Sequence, residues 1–122
     1  MRYKLIVDIH VENLSRAVAF YQSVLGFQIR VHQNIWAAVM VGGAEIHLYI
    51  GSGATGHVEF EPEDFDEEVK RLASIGVKFY PGTDKSDVIR IVDECITEFP
   101  WGRAAYFRDS EGNELALIND FE

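Results

Sequence analysis

One cysteine, three prolines and no long apolar run set the outer limits of what this 122-residue chain can be. The lone Cys95 has no internal partner for a disulfide, which points to a reducing, cytoplasmic compartment rather than a secreted, disulfide-stapled scaffold. Nothing near it in sequence marks an activating base, so it does not read as a nucleophile. Few prolines and a hydrophobic content of 48% exclude a disordered chain. No apolar stretch reaches the ~20 residues needed to cross a bilayer. The opening MRYKLIVDIHV has neither the apolar core nor the cleavage site of a secretory signal. Basic residues are scarce: 11 Lys and Arg stand against 20 Asp and Glu, a net charge of −9. The basic footprint that nucleic acid requires is missing and anionic lipid is repelled, so neither is an expected partner. A cationic small molecule is favoured instead.

What is present is a repeat. Leu14 to Ile29, LSRAVAFYQSVLGFQI, reads helix, glycine, strand, and Asp64 to Phe79, DFDEEVKRLASIGVKF, reads the same way. Asn13 and Asp64 are N-cap residues, the latter with Glu67 at capping-box spacing. Gly26 and Gly76 stand where a left-handed residue ends each helix. Leu14, Ala17, Val18, Tyr21, Val24 and Leu25 form one apolar stripe; Phe65, Val69 and Leu72 form the other. An alternating strand precedes each helix, at residues 4–11 and 57–61. Strands at 27–32, 35–41 and 44–50 follow the first helix, the last two joined through Gly42-Gly43. After the second come a strand at 77–80, ending at Pro81, and a hairpin of 103–108 and 114–119. Asp109 and Asn113 read as turn residues of that hairpin.

The fold class expected is therefore α+β: one domain over residues 1–122 made of tandem βαβββ modules, about 3–51 and 56–120, joined by the flexible GSGATG stretch. The modules form a curved mixed sheet around a pocket, with helices on the outer face. The second carries about 20 extra residues around 82–101, a length that in compact domains marks a functional loop. Its Val88, Ile89, Ile91, Val92 and Ile96 predict that it packs down.

Strand alternation then selects the residues that face the pocket. On the first strand these are Ile6, Asp8 and His10; on the fourth, Glu45, His47 and Tyr49; on the fifth, His57, Glu59 and Glu61; on the last, Glu114, Ala116 and Ile118. Carboxylates and imidazoles mixed with an aromatic suit a ligand site better than a bare wet face. Trp101, at the end of the insertion, is positioned to stack on a ligand, whereas Trp36 reads as core. Arg103 either touches the ligand or pairs with the pocket acids.

Two segments, Asn13 to Phe27 (NLSRAVAFYQSVLGF) and Pro100 to Asn113 (PWGRAAYFRDSEGN), resemble the vicinal oxygen chelate superfamily of glyoxalases, bleomycin-resistance proteins and extradiol dioxygenases. The long 82–101 connection looks most like the bleomycin-resistance and glyoxalase-like branches. The resemblance implies paired βαβββ modules, homodimers and, in the metal enzymes, four ligand positions. In this sequence those fall on Ile6, His47, His57 and Ala116, so only the two histidines can bind a divalent ion such as Zn, Ni, Fe or Mn. The reading favoured is a small-molecule-binding protein that holds a planar cationic compound through Asp8, His10, Glu45, Tyr49, Glu61, Trp101 and Arg103, with no cofactor. The alternative is a metal-dependent lyase, isomerase or dioxygenase, with His47 and His57 on the metal and Glu59 or Glu114 moving the proton.

Overall fold

The computed structural model describes residues 2–52, 56–83 and 88–121. The middle of the GSGATG joint and residues 84–87 of the insertion lie outside the described residues. The chain divides into two compact units, Met1–Gly56 with Asp109–Asn113, and His57–Arg108 with Glu114–Glu122. Among the described residues no helix is long and apolar enough to cross a membrane.

The first unit holds β1 (Ile6–Val11), α1 (Leu14–Ala19), β2 (Gln28–His32), β3 (Trp36–Val41) and β4 (Ala44–Ile50). Its four-stranded sheet has the order β1-β4-β3-β2, with β1 parallel to β4 and the rest antiparallel. Helix α1 starts where Asn13 accepts a hydrogen bond from the Arg16 N–H at 2.9 Å, satisfying one of the orphan donors of the first turn. The stripe expected to run on to Leu25 as α-helix instead widens into a π-helical turn at Phe20–Val24. Tyr21, within that turn, keeps its place on the stripe and is fully buried. Gly42, at φ 56°, makes the tight β3–β4 turn. Ile9 and Val11 on β1, Ala37 and Val39 on β3, and Ile46 and Leu48 on β4 form the buried apolar rows of this sheet.

The second unit holds β5 (His57–Phe60), α2 (Phe65–Ser74), β6 (Arg90–Val92), β7 (Ile96–Phe99), β8 (Gly102–Arg108) and β9 (Glu114–Asp120), in a five-stranded sheet of order β5-β9-β8-β7-β6. The Asp64 carboxylate caps α2 through the Glu67 N–H at 3.0 Å. Acidic Asp66, Glu67 and Glu68 follow in the positive first turn. Gly76, at φ 100°, ends it, and the Val77 N–H returns to the Leu72 carbonyl at 3.0 Å. Two expectations are corrected here. The strand predicted at 77–80 is a single bridge, Tyr80 to Tyr106. The insertion is not a loop: its described part folds into the β6–β7 hairpin, and β7 takes the place beside β8. Pro81 removes the next ladder donor after Tyr80, while β-branched Ile91, Val92, Ile96 and Thr97 favour the hairpin.

The Asp109–Asn113 turn, which joins β8 to β9, belongs to the first unit. Asp109 Oδ1 accepts from the backbone N–H groups of Glu111 and Asn113 at 2.8 and 2.9 Å. Its Oδ2 accepts from the buried Tyr21 hydroxyl at 2.8 Å and from Asn113 Nδ2 at 3.0 Å. Burial first, and the Asp109 charge second, push the Tyr21 phenol far above its ordinary value. Asn113 also donates to the His10 carbonyl at 3.1 Å and accepts from the Gly56 N–H at 2.9 Å. Both residues are thus turn-builders, as their place in the sequence indicated. Glu111 caps the α1 end, accepting from the N–H groups of Glu12 and Asn13 at 3.0 and 2.8 Å and from Arg16 at 2.7 and 3.1 Å.

Two outcomes follow from this packing. Arg16, then hydrogen bonds from Asn13 and Ser110, hold the Glu111 carboxyl down to about 2, from an ordinary 4.5. A depressed folded-state value stabilises above the unfolded value and is lost as pH falls. Glu111→Gln should therefore cost about 1–2 kcal/mol near pH 7, allowing for the half-exposed Arg16. The two proteins should converge in urea-denaturation stability as pH falls from 4.5 toward 2. Gly102 lies where a Cβ would sit 2.2 Å from the Asn119 carbonyl oxygen. Gly102→Ala should cost about 3 kcal/mol and lower the Tm by roughly 10 °C, read by thermal circular dichroism.

Candidate functional site

The face of the first sheet opposite its buried rows carries Asp8 and His10 on β1, Glu45, His47 and Tyr49 on β4, and Trp36 on β3. Asp8 pairs with His47, and Tyr49 with both His10 and Trp36, in the ladders. Trp36 was expected in the core and is instead half-buried on this face: its ring stacks on Tyr49 (6.1 Å between centroids, 18° between planes) and leans on His47 at 5.1 Å. Alternation explains this, since Ala37 and Val39 take the buried side of β3 and leave Trp36 the other.

Glu45 also departs from expectation. It is only 3% exposed and its charge is already engaged. Arg30 holds it bidentately at 2.7 and 3.0 Å, Lys4 at 3.0 Å and His47 Nε2 at 2.9 Å. The Arg30 bond first, then those of His47 and Lys4, keep the carboxyl well below the usual carboxylate range. The carboxylate therefore organises neighbours instead of meeting a ligand. Arg30 shares the face of Gln28, whose partner Met40 pairs with Glu45, and it sits at the β2 irregularity between Ile29 and Val31.

The second unit contains a cleft of about 220 Å³ lined by His57, Tyr80, Pro81, Gly82, Thr83, Phe99, Tyr106 and Glu114. Tyr80 and Tyr106 stack at 6.2 Å and 25° to form an aromatic wall. Glu114 lies at the centre of the polar groups: His57 Nδ1 meets Oε1 at 2.7 Å, and the Tyr80 hydroxyl donates to Oε2 at 3.2 Å. Glu59 approaches the other ring nitrogen of His57 at 3.7 Å. Burial first, with Glu114 next and Arg108 opposing, raises the Tyr80 phenol, which stays a neutral donor. Gly82 lets this wall close, since its N–H donates to Thr97 Oγ1 at 2.7 Å and a Cβ there would lie 3.0 Å from the Tyr106 ring.

Other predicted residues fall elsewhere. Arg103 is on the helix-bearing side of β8: its guanidinium covers the Phe65 ring at 4.4 Å and pairs with Asp66 at 3.1 Å. It has turned away from the cleft because β8 alternates and Tyr106 takes the opposite side. Glu61, just beyond β5, accepts from the Asp120 N–H at 3.0 Å. Trp101 sits in the β7–β8 turn, stacked on Phe99 at 5.1 Å and 6°. Tyr80, Tyr106 and Phe99 were not singled out in the sequence. Alternation with the buried Phe107 was a signal for Tyr106; for Tyr80 and Phe99 the needed pairing is tertiary. Cys95 has its thiol pushed up by burial and by Asp93 and Glu94, the opposite of an activated nucleophile.

A resident metal ion does not fit the side chains present. Among the described residues no group of three or more His, Cys, Asp or Glu converges. His47 directs Nε2 at a carboxylate that Arg30 and Lys4 already hold. His57 has Glu114 at one ring nitrogen and Glu59 at the other, so the two carboxylates lie on opposite sides of the ring and cannot join it around one ion at ~2 Å. Ile6 and Ala116 offer no ligand atom.

Solved structures share this fold. A lactoylglutathione lyase from Agrobacterium tumefaciens superposes with a TM-score of 0.76 at 17% identity, covering 97% of this chain and 93% of that one. TnmS3, an antibiotic binding protein from Streptomyces sp. CB03234, gives 0.75 at 21% identity, covering 98% and 97%. A superfamily member from Sphaerobacter thermophilus gives 0.68 at 24%, covering 97% of each. Comparison with curated proteins gives no match. A family model does match, over residues 5–117, nearly the whole of both repeats. The chain belongs to the Glyoxalase/Bleomycin resistance protein/Dioxygenase superfamily.

Proposed function

We propose that this protein binds a planar, cationic small molecule in the cleft of its second unit and does so without metal chemistry. The observation that carries this is the pairing of a stacked aromatic wall, Tyr80 and Tyr106, with the Glu114 carboxylate in one cleft. Aromatic faces attract both flat rings and positive charge. Glu114 and Glu59 supply the counter-charge, and among the described residues no lysine or arginine lines the cleft, Arg108 lying over the Tyr80 ring at 5.3 Å. A volume of about 220 Å³ is below the ~300 Å³ at which ligand pockets usually begin, so it takes one flat ring system, not a whole glycopeptide. The fold accommodates such a role: TnmS3 is an antibiotic binding protein. The metal-dependent lyase, isomerase or dioxygenase reading finds less support, because neither histidine gathers partners around a common point.

Proflavine, a planar monocation, and metal-free bleomycin are suitable probes for calorimetric titration. Saturable proflavine binding is expected, with Tyr106→Ala and Glu114→Gln each weakening it about tenfold. Bleomycin should bind more weakly than an intact fit of its full surface would give. Heat signals that are absent, or unchanged in both variants, would remove the reading.

A further inference from the structure

At the turn of the β7–β8 hairpin a second cleft, about 490 Å³ in volume, is lined by Pro100, Trp101, Asp120 and Phe121. It shares no lining residue with the cleft at His57. Three features make it a constructed site. Phe99 and Gly102 pair in the ladder, so Pro100 and Trp101 form a two-residue turn. Proline fixes one φ of that turn, and the Phe99 ring backs the indole in parallel at 5.1 Å. Trp101 is therefore oriented in advance. The Phe121 N–H donates to the Trp101 carbonyl at 2.9 Å, which holds the second aromatic residue beside the first. Despite this support the two rings stay open, Trp101 46% and Phe121 54% exposed.

The chemistry of the lining restricts its occupant. Apart from the indole N–H, the side chains present ring faces, a pyrrolidine and one carboxylate. Glu61 adds a second negative group, tied to the Asp120 N–H at 3.0 Å. Among the described residues no ion pair engages Asp120 or Glu61. Such a lining gives little to a ligand that needs hydrogen-bond donors and much to a cation with an apolar shell. Aromatic faces beside a carboxylate are the arrangement that suits methylated ammonium groups, and the volume lies within the range of small-molecule pockets.

We propose that Trp101, Phe121 and Asp120 form a second ligand site that takes an alkylated ammonium ion, independent of the cleft at His57. Choline tests this against 3,3-dimethyl-1-butanol, its neutral isostere with carbon in place of nitrogen. In a Trp36→Phe background the remaining indole reports on Trp101. Choline should change its fluorescence saturably, with the isostere at least fivefold weaker. Asp120→Asn should weaken choline about threefold to tenfold, and Trp101→Ala, followed by calorimetry, should abolish binding while the thermal melt is retained. Tyr106→Ala should leave the choline titration unchanged even where it removes proflavine binding, so each site fails or stands alone. Equal binding of choline and the isostere, or undiminished binding by Trp101→Ala, overturns the proposal. So does sedimentation showing that Trp101→Ala dissolves a self-association in a protein that choline does not affect, because the rings are then an interface between copies.

Discussion

A strand that lies under a helix turns only every second side chain toward it, and most of this structure follows from that constraint. In each unit the apolar row goes inward, with Ile9, Val11, Ile46 and Leu48 in one and Leu115, Leu117 and Phe107 in the other. The alternate row is then left with whatever the sequence puts there, and here it is rich in carboxylates, imidazoles and aromatic rings. Polar groups on a half-covered face need partners. The two units meet that need differently. In the first, Arg30 and Lys4 neutralise Glu45 and hold it closed. In the second, among the described residues, Glu114 has a tyrosine hydroxyl and an imidazole as side-chain partners. The same alternation thus gives an internally satisfied cluster in one unit and an acidic cleft in the other.

What could be read from the sequence was what depends on near neighbours. The caps at Asn13 and Asp64, the left-handed glycines, the Asp109–Asn113 turn and the row of Asp8, His10, His47 and Tyr49 each need only a few consecutive residues. Apart from Trp36, whose side follows from alternation on β3 itself, the misreadings involve competition at a distance. Val77 to Tyr80 has strand character, but the place beside β8 goes to residues 96–99, which bring a ready-made hairpin and the β-branched Ile96 and Thr97. Alternation puts Arg103 on the side of Phe107, opposite Tyr106. What holds it there is distant in sequence: Phe65 and Asp66 at the start of α2. The neutralisation of Glu45 depends on Arg30 and Lys4, which come from distant stretches of the chain. The face was therefore legible, while the state of charge on it was not.

That distinction changes what the net charge of −9 means. Spread evenly, it confers solubility and a weak attraction for cations. It is not evenly compensated. Arginine takes up Glu111 and Glu45 in the first unit, and Glu68, Glu98 and Asp66 in the second. Among the described residues Glu59, Glu61, Glu114 and Asp120 of the second unit have no lysine or arginine partner, and in the first unit the exposed Asp8 has none either. Uncompensated carboxylates beside open aromatic rings keep their attraction for a positive charge, because little must be displaced to reach them. A carboxylate such as Glu45 would first have to surrender Arg30, losing a bidentate bond that an incoming cation has to replace. Ligand charge should therefore be read by the residues that the protein's own arginines have left alone.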